Sequence, residues 1–229
     1  MKKIFFILFA AVFSLPFLYG FISEHPNTNV AQTISREQST VSGDQLFQKN
    51  CAACHGIDRQ GNPPAFPSLV SVSERLQKYQ VKKLLQTGRN AMPSFTHLSE
   101  QEREAITGFL FGETTFAEQA TEITPEQNGQ RLFIANCSRC HKATPDDQQP
   151  PDQREWGMQP AVLGGITSRY ELENFRQILN IGPCYMPSFS FLEDKDKTDI
   201  YTWLQTIEDL SAETSTLKGM SCRMKCKKW

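Results

Sequence analysis

Apolar residues recur at helical spacing in two separate stretches of this 229-residue chain, and neither stretch shows the period-two alternation of a half-buried strand. In the first, Leu46, Phe47 and Cys51 share one face of a helix that Ser42 or Asp44 can cap. A loop containing Pro63, Pro64 and Pro67 follows, then a short helix from Tyr79 to Thr87 ended by Gly88, whose missing side chain suits a left-handed position. Ser99-x-x-Glu102 is a capping box that opens a third helix running to about Phe111. In the second stretch Thr124, Pro125 and Gln127 supply a cap, a first-turn proline and a capping-box partner, so a helix starts near Pro125. Ser168-x-x-Glu171 predicts the start of a middle helix and Gly182 its end; Ile200, Trp203, Leu204 and Ile207 form the apolar face of a closing helix. Ahead of both stretches, Ile4 to Ile22 is uncharged and almost wholly apolar, and residues 23–40 are polar without periodicity, a tether. The expected class is all-α, a tandem pair of helical domains behind an N-terminal apolar helix.

The two stretches are copies. Leu46 to His55 reads LFQKNCAACH and Leu132 to His141 reads LFIANCSRCH, preceded by Gly43 and Gly129 and followed by MPSF at Met92 to Phe95 and at Met186 to Phe189. Gly88 matches Gly182, the closing helices match at the spacing of the MPSF pair, and Pro67-Ser68-Leu69 is matched to Pro160-Ala161-Val162. On that match the segment from His141 to Pro160 is seven residues longer than its counterpart, rich in Pro, Asp and Gln, and reads as an exposed loop. The expected domains are 41–118 and 119–210, with a basic, Cys-containing tail at 211–229.

Cys-x-x-Cys-His is the attachment pattern of a c-type haem: two thiols one turn apart meet the two vinyl groups, and the adjacent His reaches the iron. Cys51, Cys54 and His55 form one such set and Cys137, Cys140 and His141 the other, which implies two covalently attached haems c. Zinc is the weaker alternative, because paired Cys-x-x-Cys ligands normally stand about 12–20 residues apart, far closer than positions 54 and 137, and need no His after each pair. A thioredoxin-like redox pair wants a βαβ setting that neither copy has. Each domain is small enough that side chains alone make a thin core, and a covalent haem supplies apolar mass.

On these motifs the chain resembles the two-domain, di-haem class I cytochromes c over about residues 41–210. The resemblance implies His55 and His141 as proximal ligands, Met92 and Met186 as distal ligands, and the carbonyls of Pro67 and Pro160 as acceptors for the outer nitrogens of the two histidines. The chemistry is consistent with those roles. A neutral imidazole ligand needs its second N–H held, and a thioether is a soft, neutral donor that favours Fe(II) and raises the reduction potential. Met158 and His97 are rival ligands to Met186 and Met92. Cys184, two residues before Met186, and the tail cysteines Cys222 and Cys226 depart from the family pattern. An odd three cysteines beyond the motifs implies one bridge and one thiol, or an intermolecular link.

Lys2 and Lys3 place the N-terminus in the cytoplasm and the rest outside. The apolar run exceeds the roughly 7–15 residues of a cleaved signal core, nearly meets the roughly 20 of a membrane span, and ends at a poor cleavage site, Leu18-Tyr19-Gly20. The expectation is an anchored protein on the periplasmic side of the bacterial cytoplasmic membrane. Pro16 speaks for the alternative, a cleaved signal and a soluble periplasmic protein. The net charge of −1 and the absence of a groove-reading motif argue against nucleic acid as a partner. Two functional classes are open. One is a carrier of single electrons between redox protein partners, a donor complex or dehydrogenase and a terminal acceptor, or the cytochrome subunit of a larger dehydrogenase. The other is a haem enzyme of sulfur oxidation resembling thiosulfate dehydrogenase, which Cys184 keeps in view.

Overall fold

The computed structural model describes residues 40–118, 123–148, 160–184 and 186–207, all within one compact unit spanning 38–229. The first half contains β1 (Thr40–Ser42), α1 (Gly43–Asn50), α2 (Ala52–His55), α3 (Val72–Arg75), α4 (Lys78–Thr87), α5 (Glu100–Leu110) and β2 (Phe116–Glu118). The second half contains α6 (Pro125–Asn136), α7 (Leu172–Ile181) and α8 (Asp194–Thr206). The apolar run 4–22, the tether up to residue 39 and the tail 211–229 lie outside the described residues. Among the described residues no helix is long and apolar enough to cross a membrane.

The helix starts follow their caps. Ser42, Ser99 and Thr124 each accept a backbone N–H three residues on, and Gln45, Glu102 and Gln127 return the bond to the cap backbone. At α7 the expectation is corrected: the helix begins at Leu172 with Glu171 as its cap, and the Ser168 hydroxyl donates instead to the Gly165 carbonyl in the preceding turn. The all-α expectation is corrected by one small feature, an antiparallel pairing of β1 and β2 with Val41 opposite Ala117. Thr40, read as tether, is therefore part of the first half. Three-residue strands are too short to show a period.

In each half the first helix crosses the closing helix at a glycine. A Cβ on Gly43 would sit 2.1 Å from the Ala105 carbonyl oxygen, and one on Gly129 would sit 1.9 Å from that of Asp199. One turn further on, aromatic rings close the crossings: Phe47 meets Phe109 at 5.4 Å between centroids, and Phe133 meets Trp203 at 4.6 Å. Because backbone cannot yield as a side-chain tip can, Gly129→Ala is expected to destabilise the chain by about 1–3 kcal/mol, the usual range for overpacking. Thermal unfolding checks this, and an unchanged melting temperature would contradict the close crossing.

The halves meet along α1 and α6 and at the starts of α5 and α8. Glu102 and Asp196, the third residues of α5 and α8, each take a cation from the other half's first helix: Arg131 Nη2 lies 2.6 Å from both Glu102 oxygens, and Lys49 Nζ lies 3.1 Å from Asp196 Oδ1. Both carboxylates are buried, so these pairs fix the relative register of the halves more than they add net stability. Asn136 Nδ2 donates to the Lys49 carbonyl at 2.9 Å. Phe191 packs against both cores, Ala135 of α6 belongs to the first core, and Ala53 of α2 packs against the second.

Candidate haem sites

The two Cys-x-x-Cys-His turns grow from the ends of α1 and α6 with one hydrogen-bond pattern. Cys51 N–H donates to the Phe47 carbonyl and Cys137 N–H to that of Phe133, both at 2.8 Å; His55 and His141 N–H then close on the Cys51 and Cys137 carbonyls at 3.0 and 2.8 Å. Burial first, then the neighbouring Cys54 or Cys140, pushes the pKa of Cys51 and Cys137 up to about 12. Each belongs to its half's apolar core.

His55 Nδ1 lies 3.0 Å from the Pro67 carbonyl oxygen and His141 Nδ1 lies 2.8 Å from that of Ala161. A carbonyl only accepts, so Nδ1 is the donor in both rings, which leaves Nε2 as the nitrogen available to a metal. Burial lowers the His55 pKa, and the Pro67 hydrogen bond opposes it in part. The Pro160 assignment is thereby corrected: the acceptor in the second half is Ala161. The histidine-to-acceptor separation is 12 residues in the first half and 20 in the second, an insertion of eight rather than seven. The signal was available, because Pro67 and Ala161 stand at the same spacing as Gly88 and Gly182 and as Met92 and Met186, whereas Pro160 breaks it.

The MPSF stretches form matched turns. Met92 N–H donates to the Arg89 carbonyl at 2.9 Å and Met186 N–H to that of Pro183 at 3.1 Å; Phe95 and Phe189 N–H then donate to Leu85 and Leu179 at 2.7 Å. Gly88 and Gly182, with φ of 68° and 62°, bring these turns against the ends of α4 and α7, where a Cβ would come within 2.6 Å and 2.5 Å of the turn backbone. Met92 and Met186 are half-buried, each packed on the core that its own half's motif Cys joins. In the same turns Asn90 and Cys184 occupy equivalent left-handed positions, φ 53° and 58°. Cys184 is disulfide-bonded, and its partner lies outside the described residues, as do Cys222 and Cys226.

Of the rivals, Met158 lies outside the described residues. His97 takes the place that Phe191 holds in the other half, and its Nε2 is buried without a hydrogen-bond partner among the described residues. Burial, then Arg131, push its pKa down to about 4 against the opposing pull of Glu102. Arg131 and Glu102 are the ion pair between the halves, and Arg103 adds to the lowering.

These residues fit a haem held at each turn. In each half the first Cys of the turn belongs to the apolar core and the methionine packs against that same core, and among the described residues no cluster of three or more His, Cys, Asp or Glu side chains offers a metal site of another kind. The family described as cytochrome c oxidase, cbb3-type, subunit III matches the chain twice, at residues 38–110 and 124–204. Cytochrome c6 of Cyanidium caldarium is 34% identical over 74 residues, covering 30% of this chain and 65% of that protein. Cytochrome c-555 of Methylococcus capsulatus is 40% identical over 60 residues, 26% of this chain and 48% of that protein. A cytochrome bc1 complex cytochrome c subunit of Mycobacterium leprae is 28% identical over 196 residues, 72% of this chain and 61% of that protein. The chain thus spans between about half and two thirds of the length of these relatives.

Proposed function

Because the chain belongs to the family described as cytochrome c oxidase, cbb3-type, subunit III, we propose that it is a di-haem c-type cytochrome, two class I cytochrome c domains in tandem, carrying single electrons between redox protein partners. The observation that carries this reading is the duplicated site: in each half a Cys-x-x-Cys-His turn, a histidine held on a backbone carbonyl, and a half-buried methionine on the same core. Each bound haem iron supplies one reversible electron. Cys51 and Cys54, and Cys137 and Cys140, would hold the two haems through thioether bonds. The Pro67 and Ala161 carbonyls orient His55 and His141 and strengthen them as donors. Met92 and Met186 would supply thioether ligands that favour Fe(II), and with the histidines also engaged no place would be left for a substrate.

The partners proposed are a quinol-oxidising complex of the bc1 type or a dehydrogenase as donor, and a terminal acceptor. The Mycobacterium leprae relative is named as a cytochrome c subunit of the cytochrome bc1 complex. The proposed setting is the periplasmic side of the bacterial cytoplasmic membrane, with residues 4–22 as anchor. The length of the uncharged run supports it. Membrane fractionation of the full chain is expected to find it in the membrane, and a mature N-terminus just after Gly20 would contradict the anchor.

The disulfide at Cys184 supports the carrier over a sulfur-oxidising enzyme, since a sulfur already bonded to sulfur is no thiolate ligand. Thiosulfate, sulfite and peroxide, offered to the purified protein with a matching electron acceptor or donor, are expected to give no sustained turnover. Cys184→Ser is expected to leave both haem potentials nearly unchanged. Turnover that vanishes in Cys184→Ser would replace the carrier reading with an enzymatic one.

A further inference from the structure

Arg139 stands between Cys137 and Cys140, inside the second attachment turn, yet its side chain works in the first half. Its Nη1 donates to the carbonyl of Ala91, the residue before Met92. Its guanidinium carbon lies 5.3 Å from the ring centroid of Phe66, the residue before Pro67, whose carbonyl holds His55. One side chain of the second turn thus braces both ligand loops of the first site. Ala53, between Cys51 and Cys54, answers from the other side by packing against the second core. Each attachment turn therefore sends one side chain into the other half.

We propose that Arg139 is a positioning residue that couples the two haem sites: it sets the first haem's potential from within the second motif and holds the attachment turns together for electron exchange between the halves. This rests on the reading that both turns carry haem. The exchange moves one electron, one iron passing from Fe(II) to Fe(III) as the other passes from Fe(III) to Fe(II), with no proton or bond change. A cation held beside Met92 in a half-buried place favours the less positively charged Fe(II) state of the first haem. The planar guanidinium can donate to the carbonyl and stack on Phe66 at once, which an ammonium cannot do.

The test uses the full-length holoprotein with Arg139→Gln and Arg139→Lys, neither of which alters the Cys-x-x-Cys-His pattern. The two midpoint potentials are read by spectroelectrochemical titration, the first haem is identified by the Met92 methyl resonance, and exchange is followed after flash reduction. Arg139→Gln is expected to lower the first haem's potential, shift the Met92 resonance and slow exchange several-fold. Arg139→Lys is expected to recover the potential but not the rate, a split that a merely structural side chain would not produce. Phe66→Leu lies outside both motifs and is expected to shift the Met92 resonance and slow exchange as well. If Arg139→Gln and Phe66→Leu both leave the first haem's potential and resonance unchanged, the proposal is overturned while the carrier reading stands. A wild-type protein with one haem, or without a Met92 signal, would overturn the carrier reading itself.

Discussion

Replacing Cys51 and Cys54 together by serine is expected to halve the covalent haem content, leaving the second haem in place with its His/Met spectrum intact. The expectation follows from the separateness of the two sites. Cys51 belongs to the first core and Cys137 to the second, and each histidine has its own carbonyl acceptor. A serine hydroxyl does not form the thioether bond, so the first haem would be lost rather than loosened. The folding consequence is large as well. The first core is a single cluster around Phe47, Ile106 and Leu85 that Cys51 itself joins, and a domain of that size depends on the apolar mass of its cofactor. The first half should therefore melt earlier, while Lys49 and Glu102 lose their fixed places opposite Asp196 and Arg131. Haemochrome assay per chain and acid-acetone extraction check the result. Haem in the organic phase, or a full complement in the variant, would contradict covalent attachment at Cys51 and Cys54.

Met92→His and Met186→His carry the second large effect. Imidazole is a stronger σ-donor than a thioether and stabilises Fe(III), so each variant should lower its own haem's potential by on the order of 0.1–0.3 V, within the roughly 0.8 V that axial ligation spans. The two turns share their backbone hydrogen bonds and their glycine-dependent approach, so the two variants should behave alike. The other haem should move far less. Redox titration with ligand spectroscopy reads both. An unchanged ligand spectrum in Met186→Ala would show that another side chain, Met158 being the candidate, holds the second iron.

Much of this was legible in the chain because local chemistry spells it out. Capping boxes at Ser99 and Thr124 mark helix starts by side-chain hydrogen bonds that need no tertiary partner. The attachment motif is legible for the same reason, being one helical turn long. What depended on register was partly misread. Pro160 resembled Pro67 in type, but the acceptor is a backbone carbonyl, indifferent to side-chain identity, and only the common spacing of the two halves points to Ala161. What depended on contact between the halves was not legible. Glu102 shows in sequence as a capping partner, and its second role toward Arg131 exists only once α6 is packed beside α5. Arg139 lies at a variable position of its motif, and no local pattern announces that it reaches Ala91. Gly43 and Gly129 stood out as repeated, but the close carbonyls that require them belong to helices far along the chain.

The central claim is tested most directly by an electron-counted redox titration of the intact chain, with optical detection of the methionine-to-iron band. The account predicts uptake of two electrons per chain, both at the raised potentials of His/Met ligation, with the band present in the fully oxidised protein and halved in Met92→His. Uptake of a single electron, or a fully oxidised spectrum without a methionine band, would contradict it.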